Sequence, residues 1–97
     1  MGEVVGKKDD AKKPRWSLLP LNQVEEIVKV LTFGADKYGD FNWKSVEPFN
    51  DRYFSAAMRH LVAWRRGEGI DSDSGCSHLA HAACNMLFLM HKDLEEK

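Results

Sequence analysis

The chain has 97 residues, of which 43% are hydrophobic and 30% are charged, and its formal net charge is −1. This length and composition predict one small soluble globular domain, with a core modest enough that oligomerisation would stabilise it. A net charge near zero gives no general attraction to nucleic acid or to an anionic membrane, so we expect neither as a partner. The two cysteines have no CxxC spacing, and no apolar leader or membrane-spanning run stands out in the sequence. We therefore expect a cytoplasmic protein with free thiols.

Residues 1–13 are charged and lack hydrophobic periodicity, which predicts a flexible basic arm. The arm either keeps the protein in solution or reaches towards a phosphate-bearing ligand. Residues 14–97 are predicted to form a single all-α domain. Its first segment, between Pro14 and Pro20, is apolar and is expected to be extended, because each proline fixes its own φ and restricts the residue before it.

The first helix is predicted over about residues 22–38. Asn22 is placed as the N-cap, with Glu25 three residues later in a capping-box arrangement. Gly39 fits the position that follows a helix, since glycine adopts positive φ without steric cost. Apolar residues recur at the spacing of one helix face: Val24, Ile27, Val28, Leu31 and Ala35.

The connector after the first helix and the second helix each contain residues with two possible roles. In the connector 40–50, Asn42 and Trp43 either attach the loop to the core or frame a ligand. The second helix is predicted over about 50–67, capped by Asn50 or Asp51. His60 lies in the middle of its apolar face, as a core residue or as a ligand-binding one. Three arginines recur every seven residues, as a solvated face or as a clamp for phosphates or carboxylates: Arg52, Arg59 and Arg66.

The third helix, predicted over about 75–94 and capped by Ser74 or Ser77, is apolar over most of its length. Its polar exceptions are His78, His81 and Asn85, which the helical repeat places within a strip about 60° wide. Burying such groups without partners costs about 1–3 kcal/mol each. We therefore expect polar groups from elsewhere in the fold to face this strip.

The loop between the second and third helices concentrates carboxylates at Glu68, Asp71 and Asp73. Its spacing excludes an EF-hand, because Gly75 and Ala82 stand where the calcium loop would require other residues. An oxygen-rich cluster of this kind favours Mg²⁺ or Mn²⁺ over structural zinc. The alternative is a set of turn and capping residues.

Several segments together resemble the dATP/dGTP diphosphohydrolase domains of phages and bacteria, in the MazG-like all-α NTP pyrophosphohydrolase group. The resemblance runs from about Lys13 to Leu89. Its motifs are KPxxSLLP (13–20), VLTFGAxKYG (30–39), Asn42-Trp43, RHL (59–61), GExxDxxSG (67–75) and HLAHxxxN (78–85). A sequence of this kind is expected in the host cytoplasm if a phage encodes it.

The resemblance implies a small helical bundle, completed by oligomerisation, that binds a purine nucleotide. It also implies Mg²⁺- or Mn²⁺-dependent cleavage of a purine deoxynucleoside triphosphate to its monophosphate and pyrophosphate. On this basis we expect Glu68, Asp71 and His81 to be catalytic, and Glu68, Asp71 and Asp73 to bind the metal. The residues expected to contact substrate are Lys37, Asn42, Trp43, Arg59, His60, His78 and Asn85.

Two other functions stay open from the sequence. MazG-like enzymes carry an E-E-x-x-E helix, whereas Glu25-Glu26 is followed here by Lys29. A non-catalytic phage protein that sequesters a signalling nucleotide is therefore the main alternative. The second is a small helical interaction or DNA-associated module, against which the net charge argues. For either nucleotide-binding function we expect a homodimer or homotetramer with pockets at or near the interface.

Overall fold

A computed structural model describes residues 6–96. It contains three α-helices, α1 (Leu21–Tyr38), α2 (Phe49–Arg65) and α3 (His78–Glu95), and two short 3-10 turns, Trp16–Leu18 and Asn42–Ser45. The described residues form no β-strand, and the one bridge between extended residues joins Ile70 to Ser77. The predicted all-α fold with three main helices is therefore confirmed.

Helix α3 is the centre of the fold, because it packs against both α1 and α2. The residues that it buries include Ala80, Ala82 and Cys84, whose small side chains allow neighbouring helices to approach closely. Val30 of α1 packs against Ala80 and Cys84 in the core, and Ile27, Leu31, Cys76 and Phe88 cover this cluster. Since α1 and α2 have no comparable contact with each other, a space is left between them above α3.

Helix α1 ends at residue 38 as predicted, and the other helix ends differ from the predicted ones by one to three residues. Helix α1 begins directly after Pro20 and α2 directly after Pro48, and in neither does a side chain cap the first turn. The predicted caps at Asn22, Asn50 and Asp51 are therefore wrong, because each proline ends the extended segment two or three residues before the polar residues that were expected to cap the helix. At the other end of α1, Gly39 takes the expected C-terminal position with φ 97°.

Helix α3 begins at His78, where the Ser77 hydroxyl accepts hydrogen bonds from the backbone N–H groups of Leu79 and Ala80. The predicted cap at Ser77 is confirmed, and Ser74 is left for another role. Residues 75–77, which were predicted to be helical, precede the helix.

Of the predicted basic arm, residues 1–5 lie outside the described residues. Residues 6–13 are exposed and contain a single turn, in which the Lys13 N–H donates to the Asp10 carbonyl at 3.1 Å. The segment between Pro14 and Pro20 contains the turn Trp16–Leu18, so it is not extended throughout as predicted. Within residues 6–96, no helix combines the length and the apolar character needed to span a membrane.

Candidate functional site

The space between α1 and α2 forms a cleft of about 870 Å³, with α3 as its floor and the connector after α1 at its mouth. Much of its wall comes from the second half of α1 and from α2. Of the predicted catalytic and substrate-binding residues, those that line the cleft are Lys37, Asn42, Trp43, Arg59, His60, His81 and Asn85. The other predicted site residues, Glu68, Asp71, Asp73 and His78, are not among the lining residues.

Trp43 attaches the connector to the helices. Its indole stacks on the Phe88 ring with 4.3 Å between the ring centroids, and the edge of His91 approaches it at 5.0 Å. The Trp43 carbonyl also accepts a hydrogen bond from the Tyr53 hydroxyl at 3.0 Å. Because Phe88 occupies one face of the indole, these contacts favour the loop-attaching role over that of a freely available stacking platform.

Phe41 is a cleft residue that sequence reasoning missed. Its backbone has φ 60° and ψ 15°, in the left-handed region, and its side chain is 66% exposed. This conformation costs a non-glycine residue roughly 1–2 kcal/mol, and exposure of a large ring brings no compensating burial. The Lys44 ammonium lies 4.7 Å from the centre of the ring. An aromatic residue in a loop was the only signal in the sequence, because nothing in it predicts a left-handed Phe.

Three histidines from two helices come together, and two of them, His60 and His81, line the cleft. The imidazoles of His60 on α2 and His81 on α3 are stacked, with 4.3 Å between centroids and 10° between planes. Nδ1 of His60 is also 2.9 Å from Nδ1 of His78. The polar strip of α3 is therefore faced by a polar residue of α2, as expected, and His60 belongs to this cluster as well as to the cleft.

The acidic loop reaches the same histidines through Ser74. Oδ2 of Asp71 accepts from the Ser74 backbone N–H at 2.9 Å and from the Ser74 hydroxyl at 2.8 Å. Ser74 Oγ lies 2.7 Å from Nε2 of His81, and Asp71 Oδ2 lies 3.6 Å from the same nitrogen. An ionised carboxylate only accepts, so the single Ser74 hydrogen points to Asp71 and Ser74 accepts from Nε2–H of His81. In neutral His81, Nδ1 is then the basic nitrogen.

The pKa values of these groups suit proton transfer. Burial lowers the pKa of His81, and burial together with the neighbouring imidazoles lowers that of His60. Burial alone would raise the pKa of the Asp71 carboxyl, but the hydrogen bonds from Ser74 outweigh it and hold the pKa below its usual value. At neutral pH the imidazoles are therefore neutral and able to accept a proton, while Asp71 is ionised.

Asn85 and Lys37 have defined partners at the edges of this network. Asn85 is buried, and its amide nitrogen donates to the backbone carbonyl of His81 at 2.9 Å, which holds it at the floor of the cleft. The Lys37 ammonium lies 3.4 Å from Oδ2 of Asp73, with both side chains largely exposed. This contact joins the end of α1 to the acidic loop.

The three loop carboxylates point to different partners. Asp73 faces Lys37 and Asp71 faces Ser74, while the exposed Glu68 has Oε1 4.0 Å from Nε2 of His78. Among the described residues, the group whose possible ligand atoms all lie within 4.8 Å of one another is instead His60, Asp71 and His78. The arrangement therefore brings one predicted metal ligand together with two imidazoles.

Comparisons with known proteins agree with the resemblance seen in the sequence. Residues 3–97 match the family model described as "dATP/dGTP diphosphohydrolase, N-terminal". The chain is 33% identical over 86 residues to a dATP/dGTP diphosphohydrolase of Salmonella phage PMBT28, and the aligned region covers 89% of this chain but 29% of that protein. This chain thus spans less than a third of the length of its relative. No solved structure matches significantly.

Proposed function

This chain belongs to the family of dATP/dGTP diphosphohydrolase N-terminal domains, and on that premise we propose that its cleft binds a purine deoxynucleoside triphosphate and hydrolyses it to the monophosphate and pyrophosphate. The observation that carries the proposal is the lining of the cleft, which combines Lys37 and Arg59 with two stacked imidazoles and aromatic side chains. Its volume of about 870 Å³ lies within the usual range for small-molecule sites.

The lining of the cleft offers groups suited to both the phosphates and the base of a nucleotide. Lys37 at the C-terminus of α1 and Arg59 on α2 offer positive charge for the triphosphate, and arginine can bind phosphate oxygens in a bidentate manner. Phe41 offers an exposed aromatic face at the mouth of the cleft, where a purine ring can stack. Trp43 and Asn42 support the connector that carries it. With no P-loop in the sequence, side chains rather than a glycine-rich cradle bind the phosphates.

His81 is the proposed general base. Its lowered pKa leaves the imidazole neutral at neutral pH, and Ser74 holds hydrogen on Nε2, so Nδ1 takes the proton of a water molecule that attacks the α-phosphorus. The bond from the α-phosphorus to the bridging oxygen breaks, and pyrophosphate leaves. Asp71, through Ser74, stabilises the imidazolium that forms, and Lys37 and Arg59 stabilise the charge on the leaving group.

The loop carboxylates do not fit a resident Mg²⁺, which prefers several oxygen ligands in a near-octahedral arrangement. Asp73 is paired with Lys37, and the group that converges contains two imidazoles and one carboxylate. We propose instead that Mg²⁺ or Mn²⁺ enters as part of the substrate, bound to the triphosphate. Glu68 and Asp71, whose partners are His78 and Ser74, then form no metal cage.

The test is incubation of the chain with each of the four deoxynucleoside triphosphates, with and without EDTA. We expect monophosphate and pyrophosphate from dATP or dGTP, whereas monophosphate with two equivalents of orthophosphate, or diphosphate with one, would contradict cleavage between the α- and β-phosphates. His81→Gln is expected to lose turnover, and His91→Gln is the matched control. His91 lies on the same helix but contacts Glu95 and Trp43 rather than the histidine cluster.

Binding without hydrolysis is the second candidate function. It is favoured because Glu68, Asp71 and Asp73 contact different partners and do not converge on one metal site. A protein that sequesters a nucleotide needs the cleft but not a working acid–base pair. In the same samples it would show a melting temperature raised by the nucleotide, because a ligand of the folded state stabilises that state, and no release of pyrophosphate.

A further inference from the structure

We propose that His60, His78 and Asp71 bind one divalent first-row transition-metal ion. The three residues come from α2, α3 and the loop between them, and one possible ligand atom from each lies within 4.8 Å of the other two. Of the three residues, His60 lines the cleft, whereas His78 and Asp71 are not among its lining residues. The site is therefore distinct from a Mg²⁺ ion that arrives on the triphosphate.

The spacing of the imidazoles fits a shared ion. Nδ1 of His60 and Nδ1 of His78 are 2.9 Å apart. Two nitrogens that each bind a metal at about 2.1 Å are at most about 4.2 Å from each other, so one ion can reach both. A simple hydrogen bond between the imidazoles also explains the distance, but it does not explain why Asp71 converges on the same point.

The other nitrogen of His78 supports the assignment. Nε2 of His78 is buried and has no hydrogen-bond partner among the described residues, which is costly for an imidazole N–H. The nearest carboxylate oxygen, Oε1 of Glu68, is 4.0 Å away on an exposed side chain that is free to move closer. Histidine ligands commonly donate their second N–H to a carboxylate, and metal on Nδ1 fixes hydrogen on Nε2, towards Glu68.

The donor set selects the kind of ion. Imidazole nitrogen suits zinc, iron, cobalt and nickel, whereas Mg²⁺ is bound through oxygen. Two imidazoles with one carboxylate leave positions for water or for another ligand. This inference does not rest on the proposed function, because the binding is measured on the protein without nucleotide.

The experiment is calorimetric titration of the full chain, without a polyhistidine tag, with Co²⁺, Zn²⁺ or Mg²⁺. We expect one Co²⁺ or Zn²⁺ per chain and no detectable Mg²⁺ binding, with Co²⁺ absorption that indicates nitrogen ligands. His60→Ala and Asp71→Asn should each weaken Co²⁺ binding at least ten-fold, while the control His91→Ala should bind as the unchanged chain does. Glu68→Gln should weaken it less, as expected of a group that contacts only the ligand His78.

Helical content measured by circular dichroism accompanies each variant. His78→Ala removes a buried side chain, so if it unfolds, His60→Ala and the isosteric Asp71→Asn carry the test. Absence of Co²⁺ and Zn²⁺ binding would overturn the proposal. The proposal would also be overturned if His91→Ala lost as much Co²⁺ affinity as His60→Ala and Asp71→Asn. It would be overturned as well if His60→Ala and Asp71→Asn were folded and kept the Co²⁺ affinity of the unchanged chain.

Discussion

The Ser74 hydroxyl lies 2.7 Å from Nε2 of His81 and thereby joins the acidic loop to a histidine of α3. The same hydroxyl donates its hydrogen to Asp71, and its oxygen accepts from the backbone N–H of Cys76 at 3.1 Å. A single hydroxyl thus orders the loop and sets the tautomer of the proposed base. The sequence offers Ser74 and Ser77 as possible caps of the third helix, and in the structure the cap is Ser77.

Ser74→Ala is expected to lower the free energy of unfolding by about 1–3 kcal/mol, because it leaves the part-buried Nε2–H of His81 without its acceptor and removes one of the two hydrogen bonds that Asp71 Oδ2 accepts. Turnover should fall further than this loss explains, since His81 would no longer be held in one tautomer. Urea denaturation and initial rates measure the two effects. Ser72→Ala, at an exposed position in the same loop, is the control. Equal changes in the free energy of unfolding and in turnover in Ser74→Ala and Ser72→Ala would contradict the bridging role of Ser74.

Lys37→Met is expected to weaken nucleotide binding about ten-fold, as for loss of a charge-assisted contact to phosphate, and to change stability little, because its pair with Asp73 is exposed. Lys29→Met is the matched control. Lys29 lies on the same helix and pairs with Glu26, outside the cleft. Fluorescence titration at two salt concentrations measures the effect, and the salt dependence should be weaker in Lys37→Met. An identical loss of nucleotide affinity in Lys29→Met would mean that the affinity depends on the net charge of the chain and not on a contact made by Lys37.

Substitutions at Phe41 test whether its strained backbone conformation serves packing of the fold or binding of a ligand. Phe41→Gly relieves the left-handed conformation and should leave the free energy of unfolding unchanged or raise it by up to about 1 kcal/mol. If the ring stacks on a purine, the same substitution weakens dATP and dGTP binding. Phe41→Asn, which tolerates positive φ but lacks the ring, should weaken binding equally. Loss of stability in both variants with full nucleotide affinity would show that the ring serves packing.

The sequence predicted the helices better than the way in which they pack. Apolar spacing is a local signal, so α1, α2 and α3 were found with their ends shifted by up to three residues. Periodicity also placed His78, His81 and Asn85 on one strip of α3. It did not reveal that His60 contacts His78 and His81, because these contacts depend on how α2 crosses α3. The sequence likewise does not predict that Asp73 and Asp71 have different partners, because the partner of Asp73 depends on the position of Lys37 at the end of α1.

The described chain leaves many large apolar side chains on its surface, among them Trp16 (78% exposed), Leu21 (70%) and Phe54 (58%), and it buries no large side chain completely. We expect a second copy of the chain to cover part of this surface, so light scattering should give at least twice the monomer mass. Phe54→Ser on α2 should shift the mass towards the monomer. A monomer at micromolar concentration in the unchanged chain would contradict this expectation.

The two thiols are expected to react at very different rates, which tests the packing of the core. Cys84 is 3% exposed beside Val30 and Ala80, and burial raises its pKa to about 11, so almost none of it is thiolate at pH 8. Cys76 lies in the loop before α3 and is only partly buried. With a chromogenic disulfide reagent, one thiol should react in the native protein and the second only when the protein unfolds. Cys76→Ser should remove the first reaction and Cys84→Ala should not. Rapid reaction of both thiols in the native chain would mean that α1 opens from α3 far more often than a well-packed core allows.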